Sequence, residues 1–178
     1  KAELGDGDFD FDTLVQKAFE SWNTELKRYE VKGGSDADKT VFYTALYHAM
    51  VAPNLFSDAD GRYRAHDMQI HRSEQPVYTV FSLWDTFRSL HPLFNLMQRD
   101  RTPDFIATFI DNAKTGGGLL PVWELAACET NCMIGYHAVP VIADAYFCGI
   151  RGFDTEQALQ YMVTSADADL FGRKAFRE

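Results

Sequence analysis

Three stretches of the 178-residue chain bring together residue types that could do chemistry. In Phe81-Ser82-Leu83-Trp84-Asp85-Thr86-Phe87-Arg88 an indole stands beside a carboxylate at an expected helix start. A flat apolar face next to a strong hydrogen-bond acceptor suits a sugar, whose C–H faces stack on aromatic rings while its hydroxyls need charged or amide partners. The same spacing lets Asp85 complete a cap begun by Ser82 while Trp84 fills a core. The second stretch, Gly118-Leu119-Leu120-Pro121-Val122-Trp123-Glu124-Leu125, runs on to Cys128-Glu129-Thr130. Two glutamates that near can serve as acid and base if their environments separate their pKa values. They read equally well as a solvated first turn held by a helix dipole. The third, Tyr63-Arg64-Ala65-His66-Asp67-Met68-Gln69-Ile70-His71, could line a pocket mouth or hold a metal. Two histidines five apart match no zinc helix pattern, and no third ligand follows, so a surface loop is expected.

Of the other histidines, His48, His91 and His137 fall inside or beside expected helices, where a core hydrogen bond is the common role. Only His137, in Gly135-Tyr136-His137, has neighbours suited to a site. There is no Gly-x-Ser-x-Gly elbow and no zinc protease signature. Gly116-Gly117-Gly118 follows a helix rather than a strand, which makes it a stop and not a nucleotide cradle. Cys128, Cys132 and Cys148 match neither a disulfide framework nor a zinc ribbon and read as small buried thiols.

These residues must be positioned by helices. Asp8-Phe9-Asp10-Phe11-Asp12 leads into Leu14, Ala18, Phe19, Trp22, Leu26 and Tyr29, a helical stripe over residues 12–31 that ends at Gly33-Gly34. Ser35 and Asp38 form a capping-box pair ahead of a second helix that Pro53 stops. Residues 54–73 read as a loop, with a short strand pair around Tyr63 and Tyr78. Helices are then expected from Ser82 through Met97, over residues 103–114 after Thr102-Pro103, over 138–149, and over 154–165 with Asp154 and Gln157 as a cap pair. Six or seven helices of about 10 to 20 residues, with few strand signals, suggest stacked helical hairpins.

Composition narrows the partners. Hydrophobic residues make up 46% of the chain and charged residues 24%, enough for a packed core and far from the disordered classes. A net charge of −9 without a basic patch argues against nucleic acid. No apolar run reaches the roughly 20 residues of a membrane-spanning helix. Even the most apolar stretch, residues 119–150, is interrupted by Glu124, Glu129, His137 and Asp144.

Taken in order, Tyr78-Thr79-Val80-Phe81-Ser82-Leu83-Trp84-Asp85-Thr86-Phe87-Arg88, Leu120-Pro121-Val122-Trp123-Glu124-Leu125, Pro140-Val141-Ile142-Ala143-Asp144-Ala145-Tyr146 and Gly152-Phe153-Asp154 resemble successive blocks of glycoside hydrolase family 92, the calcium-dependent exo-acting α-mannosidases. The resemblance runs from Phe42 to the C-terminus. It implies an all-α catalytic domain, an (α/α)6 toroid with at most a short strand pair, preceded by a β-sandwich. It also implies release of terminal α-mannose, α-1,2-linked, with inversion, and a periplasmic or extracellular location. A twelve-helix toroid needs more than about 300 residues, so residues 1–178 are expected to be its N-terminal half, within a larger chain.

By the same resemblance, the general acid, the base and the Ca2+ ligands lie in motifs outside this segment, and its catalytic residues are unknown. Asp85 is the expected grip on mannose hydroxyls, with Trp84 and Trp123 as pocket walls and Glu124 and Glu129 as further substrate-binding contacts. The implied partners are a mannose-containing glycan and the remainder of the polypeptide, namely the β-sandwich domain and the second half of the toroid. From the residues alone, two other roles stay open: a helical module that binds mannose without cleaving it, and a helical-repeat scaffold for a protein partner.

Overall fold

The chain builds seven helices among the described residues, three of them started by a side-chain cap. The structure is a computed structural model and describes residues 10–168. It divides into two units, Lys1–Ala52 and Pro53–Glu178.

In the first unit, Asp10 caps α1 (Phe11–Leu26), accepting from the Asp12 N–H and the Thr13 hydroxyl. Asp8 and Phe9 of the expected lead-in lie outside the described residues. Helix α1 stops at Leu26 rather than Val31, because the next residues have other partners. The Tyr43 hydroxyl donates to the Tyr29 carbonyl at 2.7 Å and accepts from the Val31 N–H at 3.4 Å. Helix α2 (Asp36–Ala49) carries the expected capping box, with the Ser35 Oγ and Asp38 side chains each bonded to the other's backbone N–H. Trp22 meets Tyr47 edge-on at 4.6 Å between ring centroids, joining the two helices.

In the second unit, short antiparallel strands precede and interrupt the helices. β1 (Asn54–Leu55) pairs with β4 (Tyr78–Thr79), and β2 (Arg62–Arg64) with β3 (Ile70–Arg72). Tyr63 therefore faces His71 and Tyr78 faces Leu55, rather than the two tyrosines pairing with each other. β5 (Phe81–Ser82), β6 (Trp123–Leu125) and β7 (Cys128–Glu129) form a three-stranded sheet in that order. The expectation of an all-α chain with one strand pair is thus corrected. About half of the described residues are helical, and seven short strands lie between the helices.

The expected long helix from Ser82 to Met97 is broken into α3 (Leu83–Thr86) and α4 (Leu90–Met97). Pro92 supplies the reason. It has no N–H to give the Arg88 carbonyl, and its ring would collide with that carbonyl in a continuous helix. At the third position of α4 the missing donor costs nothing, because the first turn's N–H groups have no helical partners. Helix α5 (Thr102–Thr115) runs through the centre of the core. Phe105, Ile106, Phe109 and Ala113 on α5 pack with Phe81 and Leu83 of the β5–α3 corner, and with Val141 and Ile142 of α6 (Ala138–Phe147). Helix α7 (Thr155–Asp167) begins as expected, with Asp154 accepting from the Gln157 N–H at 3.0 Å.

Candidate functional site

The β5–β6 ladder has two faces, and the sequence distributes its chemistry between them. Ser82 pairs with Trp123 and Phe81 with Glu124. Directly opposed residues of an antiparallel pair point to the same side of the sheet. Ser82 and Trp123 therefore share one face, while Phe81 and Glu124 share the buried one, each 1% exposed.

On the outer face, the chain passes from Ser82 straight into the single turn of α3, which presents Trp84 half-buried and Asp85 exposed. The Ser82 hydroxyl donates to Asp85 Oδ2 at 2.5 Å and makes no helix cap. The capping-box spacing of these two residues is thus used by a direct side-chain pair. Around them lie Arg88, four residues on from Trp84, and a histidine from a distant part of the chain. The Arg88 guanidinium sits 5.6 Å from the Trp84 ring and 5.9 Å from that of Phe87. The His137 imidazole, from the start of α6, lies 4.4 Å from Phe87. Burial, and then the neighbouring Arg88 charge, hold His137 below the ordinary histidine pKa, so its ring is neutral near pH 7. The Trp84–Arg88 contact has the i, i+4 spacing of one helical turn.

The two glutamates lie on the other face of the sheet, where backbone N–H groups take up their carboxylates. Glu124 accepts from the Thr79 hydroxyl at 3.0 and 2.9 Å, from the Val80 N–H at 3.1 Å and from the Ala127 N–H at 2.8 Å. Burial pushes its pKa up, opposed by the N–H of Ala127, the Thr79 hydroxyl and the Val80 N–H. Glu129 is half-buried and accepts from the N–H groups of Val122 (2.8 Å), Trp123 (3.0 Å) and Asn131 (2.7 Å). Both are side-chain anchors of a β-hairpin, not members of a solvated helical turn. Their backbone partners are a feature that the sequence did not reveal.

In the third stretch, His66 is buried and Asp67 is exposed. Asp67 closes its own loop, accepting from the Gln69 N–H at 2.9 Å and pairing with His71 Nε2 at 2.8 Å. The His66 ring fits because Gly116 has no side chain; a Cβ there would stand 3.1 Å from His66 Nδ1 and 2.6 Å from the Asn112 carbonyl. His66 Nε2 is 4.0 Å from Glu124 Oε1, too long for a hydrogen bond, and has no partner. Burial lowers the pKa of His66, partly offset by Glu129 and Asp111. Among the described residues, no three His, Cys, Asp or Glu side chains converge on one point. All three cysteines are exposed and free, contrary to the buried thiols expected.

An exposed carboxylate next to an indole, as at Asp85 and Trp84, has the chemistry that suits a sugar hydroxyl and a sugar face. The sequence is more specific. It matches the glycosyl hydrolase family 92 catalytic domain over residues 1–177, further toward the N-terminus than the motifs alone indicated, and the chain belongs to that family. It is similar to the family GH92 α-mannosidase BT3965 of Bacteroides thetaiotaomicron, at 38% identity and TM-score 0.89 over 96% of this chain and 23% of that one. The structure of BT3965 in complex with mannoimidazole gives 39% identity and TM-score 0.91, covering 99% of this chain and 23% of that one. The family GH92 inverting mannosidase BT2199 of Bacteroides thetaiotaomicron VPI-5482 gives 34% and 0.81, over 92% of this chain and 22% of that one. The chain therefore spans less than a quarter of the length of these relatives. No curated protein matches it.

Proposed function

We propose that this chain forms part of an exo-acting, inverting α-mannosidase that removes terminal α-1,2-linked mannose, and that it supplies the sugar-holding rim of the active site. The observation that carries this reading is Asp85. The residue is exposed, its carboxylate is steadied by Ser82, and it follows Trp84, whose ring lies 5.6 Å from the Arg88 guanidinium. In this reading a mannose ring lies along the indole surfaces of Trp84 and Trp123 while Asp85 accepts hydrogen bonds from its hydroxyls, each worth about 1.5–3 kcal/mol for a charged acceptor. Family membership and the mannosidase relatives support the substrate class.

Inversion needs one carboxylic acid to protonate the leaving oxygen and a second carboxylate to activate water on the opposite face of the ring. Glu124 and Glu129 do not suit those roles, since their oxygens already accept backbone N–H groups. The acid, the base and the calcium ligands are assigned to the rest of the polypeptide, as is the β-sandwich. Export to the periplasm or cell exterior is part of the same proposal. The residues here bind and orient: contacts to hydroxyls remote from the reacting bond can hold the ring distorted, and so raise kcat as well as affinity.

The test is hydrolysis of α-1,2-mannobiose by the full-length protein, followed by NMR of the first-formed anomer, with and without a calcium chelator. β-Mannose as initial product, lost on chelation and restored by Ca2+, is expected. Binding of mannose without turnover would make the protein a lectin-like module instead.

A further inference from the structure

The most deeply placed carboxylate of the second unit sits directly behind the rim, on the far face of the ladder that carries it. Glu124 bonds to both sides of a backbone under strain. On one side are Thr79 and Val80, between β4 and β5; on the other is Ala127, in the turn between β6 and β7. Val80 (φ 69°), Ala126 (φ 50°) and Ala127 (φ 64°) all occupy the left-handed region. For a β-branched residue such as valine this is a rare and costly conformation, which persists only where the surroundings over-determine it. The Thr79 hydroxyl completes the tie, donating to Glu124 and accepting from the Ala126 N–H at 2.6 Å.

We propose that Glu124 is a positioning residue for mannose binding: its carboxylate locks the Thr79–Val80 kink to the Ala126–Ala127 turn, and so fixes where β5 sets Ser82 against Trp123 and leads the chain into Trp84 and Asp85. This rests on Asp85 gripping the sugar. The chemistry favours a carboxylate over its amide, because every partner of Glu124 is a donor. A glutamine of the same shape would have to aim its NH2 group at one of the two backbone N–H groups, leaving that group unpaired and buried. The lever is short. Val80 is one residue from the ladder pair Phe81–Glu124, and the next pair, Ser82–Trp123, holds Asp85 through the Ser82 hydroxyl.

The test is a double-mutant cycle in the full-length protein: Asp85→Asn, Glu124→Gln and the pair, with kcat/KM on α-1,2-mannobiose and thermal unfolding measured for each. Glu124→Gln is expected to lower kcat/KM by about tenfold or more, the loss of one charge-assisted bond. The double variant is expected to fall no more than about twofold below Asp85→Asn alone, since Glu124 acts through Asp85. Fully additive losses, or wild-type kcat/KM in Glu124→Gln, overturn the inference while leaving the grip intact. Full activity in Asp85→Asn ends the grip, and this inference with it. Should Glu124→Gln not fold, Thr79→Val removes the same tie at nearly constant volume and Thr79→Ser keeps it. Loss in the first with rescue in the second is expected, and equal activity in both contradicts the role.

Discussion

His91 is a titratable side chain whose environment was set by packing alone. It lies buried, stacked on Phe81 and ringed by Phe94, Phe105 and Phe109, with Nδ1 unpartnered. Burial lowers its pKa from 6.5 to about 4. The sign follows: above pH 6.5 the ring is neutral folded and unfolded, and the group has no effect on stability. Between 6.5 and 4 the unfolded chain takes up a proton that the folded chain refuses, so stability falls by up to about 3 kcal/mol; below 4 this group adds no further loss. Thermal unfolding of the full-length protein should therefore show a midpoint that drops between pH 6.5 and 4, and His91→Phe should flatten that drop. An equal pH response in wild type and variant would contradict the assignment. A helical histidine was expected in the core from sequence; that its companions would include Phe81 of β5 and Phe105 and Phe109 of α5 was not, since those contacts cross the fold. Glu124 shows the same limit more sharply. Beside Trp123 in sequence it reads as a site carboxylate, and only the strand pairing sends the two side chains to opposite faces.

At the scale of elements, the break between α3 and α4 decides where the rim points. Replacing Pro92 with alanine restores the donor that would bond the Arg88 carbonyl, and removes the ring that blocks it. Pro92→Ala is expected to lower kcat/KM without lowering the unfolding midpoint, as α3 and α4 tend to merge and turn Asp85 away. Unchanged kcat/KM would show that the break does not set the rim. In the first unit, the Ser35–Asp38 capping box should be worth about 1 kcal/mol, read as the stability lost in Ser35→Ala. Local signals made the capping box readable: caps, proline and glycine act over a few residues, and α2, α5 and α7 begin within a residue or so of where Ser35, Thr102-Pro103 and Asp154 place them. The short strands were not readable in the same way. Two- and three-residue strands carry too few positions for alternation to show, and their partners lie up to 43 residues away, as Phe81 and Glu124 do. The break between α3 and α4 was not read either: the helix expected from Ser82 through Met97 followed its apolar residues straight across Pro92.

For the whole molecule, apolar residues left in the open are the main observation. Phe147 is 85% exposed and Leu96 74%, each on a helix of the second unit. In the larger catalytic domain proposed above, such side chains would be covered by the rest of the chain. Residues 1–178 expressed alone should self-associate, visible as oligomers or aggregates by light scattering, and should not hydrolyse α-1,2-mannobiose. A monodisperse, active monomer would contradict the assignment of the acid and base to the rest of the chain. The central claim is narrower and concerns one carboxylate. Asp85→Asn in the full-length protein, compared with wild type for kcat/KM on α-1,2-mannobiose at matched unfolding midpoints, tests it most directly. A loss of about 10- to 100-fold with the fold intact is predicted; wild-type turnover in that variant would mean that mannose is held elsewhere.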